Sequence, residues 1–462
     1  MKTLMKNFIP AIIAAIIPAL AYGQTTKEDL ERIRKDAQME MDSAVADFEA
    51  EADAALEAYL ETERQLRAEY EAFRNEVMGI WGDKEAVEST RKEWVEYGSD
   101  KSSRTMVDFE TGKVAVEVLT DPSDTEADIR AKLENAVNGL LNSRGKTCGF
   151  DSKVLPQHSL SDKPLLDGQL DLSRYETDHT APAPSLGGDS GTAPKPGRNS
   201  SLNLSRHSSV SNRNTPARPA PSPSATKKTS GSTMADKASR SKSISKAIVA
   251  AEKATVTTVQ TKEGQKNVVT ITMELVEDHI PKRAEQFKGM ISRHSKKFTV
   301  DEPLIYAIME QESAFNSAAQ SWVPAYGLMQ LVPKSGGRDA YRYVHKEDKI
   351  PSANFLFDPE NNIELGTGYL KLLMSTTFSK VTDPQCRMLC AIAAYNTGAG
   401  NVSRAINGTT NISKAIPTIN TMTYSQLFSH LKRALPHAET QDYIQKVTSK
   451  MEKYKKKLNK ML

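Results

Sequence analysis

At 462 residues, 38% hydrophobic and 26% charged, the chain is long enough for two domains and too polar to be one packed body. A net charge of +3 singles out no class of partner, although the charge is unevenly spread, with an acidic N-terminal region and a basic stretch further on. Three cysteines are too few for a disulfide framework.

Lys2 and Lys6 precede an apolar run from Phe8 to Leu20, and Ala21-Tyr22-Gly23 supplies small residues where a signal peptidase reads. Residues 1–23 therefore have the pattern of a secretory signal peptide. The run is shorter than the roughly 20 apolar residues that span a bilayer, so an uncleaved anchor is the weaker expectation. Export to the periplasm or cell envelope follows, with the mature chain beginning near Gln24.

From Lys27 to Glu76 there is no Gly or Pro, and Leu30, Ile33, Ala37, Met41, Ala44, Phe48, Ala52, Ala55 and Tyr59 step along one helical face. Residues 24–77 are expected to form a long acidic amphipathic helix. Its seam is rich in Ala and irregular, which leaves two outcomes open: a weak coiled coil with a second chain or partner protein, or docking on its own molecule.

Residues 78–150 read as helix, hairpin, helix, the core of a small α+β domain over 78–165. Val107 and Phe109 face Val114, Val116 and Val118 across the Thr111-Gly112 turn, an alternation that marks strands with one buried face. A helix from Thr125 to Leu141 follows. Val269, Ile271, Met273 and Leu275 alternate with polar residues much later, so a strand over 266–276 is expected to complete the same sheet. Between them, residues 182–245 are dense in Ser, Pro, Ala, Lys and Arg and hold few large apolar side chains. Such a segment buries too little surface to offset its ordering entropy and is expected to be a disordered basic linker. No aromatic residues interleave its charges, which argues against nucleic-acid binding.

Residues 277–462 make up the last domain. Leu304, Ile305, Ile308 and Met309 recur at three- and four-residue steps, and Glu312 is the next position on that face. A carboxyl group among apolar side chains disfavours its charged form, so Glu312 is expected to keep its proton near neutral pH, the state a general acid needs. Glu310 and Gln311 fall off that face. Asp358 precedes Pro359 at a helix start, and Glu347 and Asp348 lie in a charged loop expected to be exposed. Cys386 and Cys390 stand one turn apart and read as two buried thiols, although export makes a disulfide chemically accessible. Neither has a nearby His, so no metal site is expected.

Ser313 follows Glu312 directly, and then come Gly327-Leu328-Met329-Gln330, Phe357-Asp358-Pro359-Glu360-Asn361-Asn362-Ile363-Glu364-Leu365-Gly366, Ala394-Tyr395-Asn396-Thr397-Gly398 and Glu439-Thr440-Gln441-Asp442-Tyr443. This order resembles the lysozyme-like catalytic domain of the lytic transglycosylases, which cleave bacterial cell-wall glycan. The resemblance covers residues 280–455. Ile80-Trp81-Gly82, Glu93-Trp94-Val95-Glu96-Tyr97 and the hairpin around Glu110-Thr111-Gly112-Lys113 look like the N-terminal domain of the membrane-bound lytic murein transglycosylase C subgroup, as does Ile419-Asn420-Thr421-Met422-Thr423-Tyr424.

The resemblance implies an α+β protein with a mainly helical lysozyme-like catalytic domain, and an enzyme that needs no cofactor. It implies that protonated Glu312 donates to the glycosidic oxygen between N-acetylmuramic acid and N-acetylglucosamine, then draws the proton from the muramyl C6 hydroxyl as that oxygen attacks C1. By the same resemblance Ser313 and Gln330 stand around the acid and the sugar, Met329 walls the cleft, Tyr395 and Asn396 touch substrate, and Tyr443 brings a hydroxyl close to Glu312. A single acid suits a reaction in which the substrate supplies its own nucleophile. The alternatives are a hydrolytic muramidase, which needs a second carboxylate to place a water, and a non-catalytic glycan-binding scaffold. The subgroup is usually anchored by lipid on a cysteine just after the signal. Here the first cysteine is Cys148, so an exported protein without that anchor is expected.

Overall fold

The computed structural model describes residues 27–82, 86–145, 152–155, 163–175, 234–320 and 324–459. The signal-like segment, Cys148 and most of the basic linker lie outside them. The protein is α+β: a five-stranded antiparallel sheet clasped by helices, joined to a helical body that carries Glu312.

Helix α1 (Lys27–Trp81) is 55 residues long, about 80 Å at the usual rise. It runs past the expected end at residue 77 because Val77 and Trp81 still have a surface to bury. Gly82 then stops it, with φ +97° and an N–H bonded to the Met78 carbonyl. The helix expected at the start of 78–150 is therefore the last turn of α1. The two outcomes for this helix divide along its length. Leu66, Tyr70, Phe73, Val77 and Trp81 pack on the body, whereas Met39, Met41, Val45 and Phe48 are exposed.

Three strands follow, β1 (Glu93–Tyr97), β2 (Ser103–Asp108) and β3 (Lys113–Thr120), and then α2 (Glu126–Asn142), opened by a Thr125–Asp128 capping box. Strand β1 was not expected from the sequence: only Trp94, Val95 and Tyr97 carry its pattern. Across the hairpin Val107 pairs with Val114. The turn needs Gly112, which has φ +77° and where an added Cβ would lie 2.9 Å from His279 Nε2.

Helix α3 (Met234–Ala251) begins inside the segment expected to be a linker through residue 245, which corrects that boundary. Ile244, Ile248 and Val249 give it an apolar face, and it lies beside α2 over the sheet. It leads into β4 (Thr255–Thr261), also unexpected, and β5 (Gly264–Glu274), two residues ahead of the predicted 266–276. The strand order is β1-β2-β3-β5-β4, with Val116 opposite Ile271. Both faces are covered, not one. Val107, Val114, Val116 and Ile271 point to α2 and α3, while Val95, Met106, Ala115 and Val268 point to Val77 and Trp81 of α1.

The helical body runs through α4 (His279–Gln286), α5 (Lys288–Phe298), α6 (Glu302–Ser313), α7 (Arg338–His345), α8 (Ala353–Phe357), α9 (Pro359–Leu372), α10 (Pro384–Thr397), α11 (Ala399–Asn407), α12 (Ile412–Ile419), α13 (Tyr424–Ala434) and α14 (Ala438–Asn459). Helix α6 sits at its centre, with nine of its residues buried. Cys386 and Cys390 are buried free thiols in the same core. Arg283 of α4 fastens the body to the sheet domain. Buried to 3% exposure, it donates to the carbonyls of Phe109 and Ala314 and to Gln169 Oε1. No helix among the described residues is long and apolar enough to cross a membrane.

Candidate active site

Glu312 lies one residue before the end of α6 and is 4% exposed. Tyr443, on α14, donates its hydroxyl to Glu312 Oε1 at 2.6 Å, and Arg91 Nη1 approaches Oε2 at 3.3 Å. Burial raises the Glu312 pKa, and the Arg91 charge and the Tyr443 hydrogen bond oppose that rise without cancelling it. The side chain is thus an acid biased toward its protonated form, with partners that also accommodate the carboxylate. Burial, followed by the Glu312 charge and the hydrogen bond to it, pushes the Tyr443 hydroxyl well above its ordinary value, so it remains a donor.

Two residues earlier on the same helix, Glu310 shows the opposite behaviour. The sequence placed it off the apolar face, but it is 8% exposed. Burial works against its charge, yet Lys450, the hydroxyl of Tyr454 and Lys453 outweigh it and hold Glu310 below the usual carboxylate range. One helix therefore presents a neutral-leaning acid and a neutralised anion, separated by their surroundings alone. Asp348 also departs from the expected exposed loop, since Arg338 and Arg342 clasp it in a half-buried ion pair.

The loop after α6 returns to the helix. Gly327 has φ +76°, and an added Cβ would lie 2.4 Å from the Leu356 carbonyl oxygen, so only Gly fits. Its N–H bonds to the Ala319 carbonyl. Ser313 is fully enclosed, with its hydroxyl 2.8 Å from the Leu328 carbonyl and 3.1 Å from that of Met309, which ties the loop to the end of α6. Met329 is likewise enclosed, and its backbone is clamped between Asn362 Oδ1 (2.7 Å from its N–H) and the Tyr395 hydroxyl (2.8 Å from its carbonyl). Gln330 takes a left-handed φ of +49° and donates from Nε2 to the carbonyls of Ala319 and Gly327. Its buried Oε1 has no hydrogen-bond partner among the described residues. Asn396 Oδ1 accepts from Thr440 Oγ1 at 2.7 Å, joining the ends of α10 and α14.

Of the residues singled out from the sequence, Glu312 and Tyr443 are in direct contact. Ser313, Met329, Gln330 and Tyr395 build the neighbouring loop, and Asn396 braces α14. Sequence reasoning missed two. Asn362, inside the Phe357–Gly366 motif, donates Nδ2 to the Tyr326 and Leu356 carbonyls while its Oδ1 takes the Met329 N–H. Arg91, a lone Arg before β1, had no signal at all. It bridges Glu312 to Glu439 Oε1, the latter at 2.6 Å.

Residues 289–416 match the transglycosylase SLT domain family, and residues 59–175 match the N-terminal domain family of membrane-bound lytic murein transglycosylase C. Curated relatives named membrane-bound lytic murein transglycosylase C include one from Sodalis glossinidius, 39% identical over 193 residues, and one from Klebsiella pneumoniae subsp. pneumoniae, 40% identical over 194. Each alignment takes in 42% of this chain and 53% of the relative, so the chain spans about half the length of the curated relatives it matches. An inactive mutant of lytic transglycosylase Slt from Pseudomonas aeruginosa is 30% identical over 37% of this chain and 24% of that one. Its TM-score is 0.29.

Residues 289–416 thus resemble an SLT-type transglycosylase domain, and the buried Glu312 lies within the matched stretch. With residues 59–175 matching the N-terminal domain family as well, the chain is similar in two separate parts to the proteins named membrane-bound lytic murein transglycosylase C.

Proposed function

We propose that this protein is a peptidoglycan lytic transglycosylase that cleaves the β-1,4 bond between N-acetylmuramic acid and N-acetylglucosamine and leaves 1,6-anhydro-muramyl ends. The observation that carries this reading is the setting of Glu312, buried, raised in pKa and hydrogen-bonded by Tyr443. Protonated Glu312 gives its proton to the glycosidic oxygen as the bond to C1 breaks. The resulting carboxylate, held by Tyr443 and Arg91, accepts the proton of the muramyl C6 hydroxyl as O6 closes on C1. One bond is broken, one is made, Glu312 regains its proton, and no water is consumed.

In this reading Gln330 Oε1 and Asn396 serve the sugar, while Ser313, Met329 and Tyr395 hold the loop that shapes the site. The signal-like sequence at residues 1–23 and the names of the relatives support a place in the cell envelope and a role in cell-wall remodelling. The exposed apolar side chains on α1 support a further role for that helix in self-association or in binding a protein partner.

Digestion of purified peptidoglycan followed by mass analysis tests the proposal. Anhydro ends, lighter than reducing ends by one water, are expected. Glu312→Gln should keep its fold and lose about 10²- to 10⁴-fold in rate, the usual contribution of a placed general acid. Reducing ends, or a folded Gln variant within about tenfold of wild type, would overturn it.

A further inference from the structure

Arg91 sits on a tight turn just before β1. The Thr90 N–H bonds to the Glu93 carbonyl, Thr90 Oγ1 takes the Glu93 N–H, and the Phe109 N–H holds the Lys92 carbonyl. The backbone on either side of Arg91 is therefore fixed by the sheet of the N-terminal domain, and its side chain projects from that domain onto the end of α6. Its two terminal nitrogens are divided, one on Glu312 and one on Glu439. These two carboxylates are unlike: Glu312 is enclosed, whereas the Glu439 side chain is 66% exposed and already solvated. A cavity of about 370 Å³ opens beside the bridge, lined by Thr90, Arg91, Lys92, Glu439, Tyr443 and Lys446.

We infer that Arg91 is a positioning residue for Glu312: a guanidinium supplied by the other domain, shared with Glu439, that stabilises the ionised form of the buried acid. The inference rests on the reading of Glu312 as the proton-transferring group. Glycan cleavage by one residue needs both of its states, the acid to release the leaving oxygen and the carboxylate to take the C6 proton. Tyr443 serves either state. Arg91 favours only the second, and Glu439 opposes it, both by its own charge and by competing for the guanidinium.

Among the described residues, the groups that face Glu312 are few. Arg91 and Lys92 approach from the β1 turn, Glu439 and Tyr443 from α14, and Tyr395 from α10. Lysines 450 and 453 are engaged with Glu310. The ionisation of Glu312 is thus set by the docking of one domain on the other, with the half-buried Arg91 and the exposed Glu439 acting as opposed handles.

Carboxyl carbon-13 NMR titration of the full chain with labelled glutamate tests this, the Glu312 signal being assigned by its loss in Glu312→Gln. Arg91→Ala is expected to raise the Glu312 proton-binding constant about tenfold, the low end of the effect of an opposite charge a few ångströms away. Arg91→Lys should fall between, since one ammonium cannot span both carboxylates. Glu439→Gln should move the midpoint the other way, because Arg91 is then wholly available to Glu312. The alkaline limb of the kcat/KM profile on glycan should follow each shift in sign. A general loosening of the fold would not move the two variants in opposite directions.

Midpoints unmoved within about twofold in both folded variants, or shifted in the same direction, overturn the inference. If Arg91→Ala does not fold, Arg91→Gln and Glu439→Gln carry the measurement. Anhydro products with unmoved midpoints leave the proposed activity standing and remove Arg91. Absence of anhydro products from wild type removes the activity, while the titration still decides on Arg91.

Discussion

Replacing Arg283 by Met tests whether the joint between the two domains also holds the active-site corner. Arg283 is 3% exposed, and its three hydrogen bonds, at 3.0, 2.8 and 2.5 Å, go to Ala314 O, Gln169 Oε1 and Phe109 O. Met restores most of the volume but leaves three enclosed acceptors without a donor, each costing about 1–3 kcal/mol. Relief of the guanidinium's own desolvation offsets part of this, so the expected loss is about 3 kcal/mol. The effect reaches the chemistry because Ala314 is two residues beyond Glu312 and, with Phe315, holds a left-handed φ of +50° and +61°. Such backbone costs about 1–2 kcal/mol per residue and persists only while its surroundings enforce it. Urea unfolding should show the lower midpoint, and glycan cleavage should fall at least about tenfold, since small misplacement of a reacting group is costly. A loss below about 1 kcal/mol with unchanged turnover would mean that the corner is held by something else.

Tyr443→Phe removes the hydroxyl from Glu312 Oε1. About 1.5–3 kcal/mol of stability should be lost above the pH at which Glu312 ionises, and the acid should titrate higher than in wild type, read by carboxyl NMR. Glu312→Gln should change the pH dependence of stability. A folded pKa above the unfolded one gives stability that is complete below the unfolded value, near 4.5, and declines as pH rises through the folded value. The Gln variant lacks that decline, so its stability relative to wild type should improve as pH rises from about 4.5, measured by denaturant midpoints across pH. Gly327→Ala should cost at least about 2 kcal/mol and most of the activity, because the new methyl collides with the Leu356 carbonyl and displaces Asn362 from the Met329 N–H. An Ala variant with wild-type melting would show that the loop adapts.

Much of the fold was legible where local pattern and final burial agree. The long helix follows from fifty residues without Gly or Pro, and the Val107–Val114 pairing from alternation across a Gly turn. What escaped depended on contacts distant in sequence. Strand β1 has five residues and gains its identity from Val107 and Met106 across the ladder. Strand β4 is mostly exposed threonine, valine and glutamine, so no alternation of burial announces it. Helix α3 begins in Ser- and Lys-rich sequence that matches its linker neighbour. Only Ile244, Ile248 and Val249, packed beside α2, distinguish the helix from what precedes it. The placement of Glu310 failed for a related reason. Its helical angle does point away from the main core, but α14 covers that side and brings Lys450, Lys453 and Tyr454 to meet it.

The candidate site divides along the same line. Glu312 was readable because its position is a matter of helical phase within one element, and its raised pKa follows from the apolar residues that share its face. Tyr443 was reachable only through a resemblance, being 131 positions away. Arg91 lies 221 positions away on a different domain, and nothing in its own neighbourhood of the sequence distinguishes it from a solvated surface arginine. Yet it is this residue that gives the sheet domain a direct electrostatic hold on the buried acid. Detaching the domains would remove a positive charge from the site and leave Glu312 more firmly protonated, whereas tightening them would favour the carboxylate. The same joint that Arg283 fastens mechanically is therefore the one through which Arg91 acts on the proton.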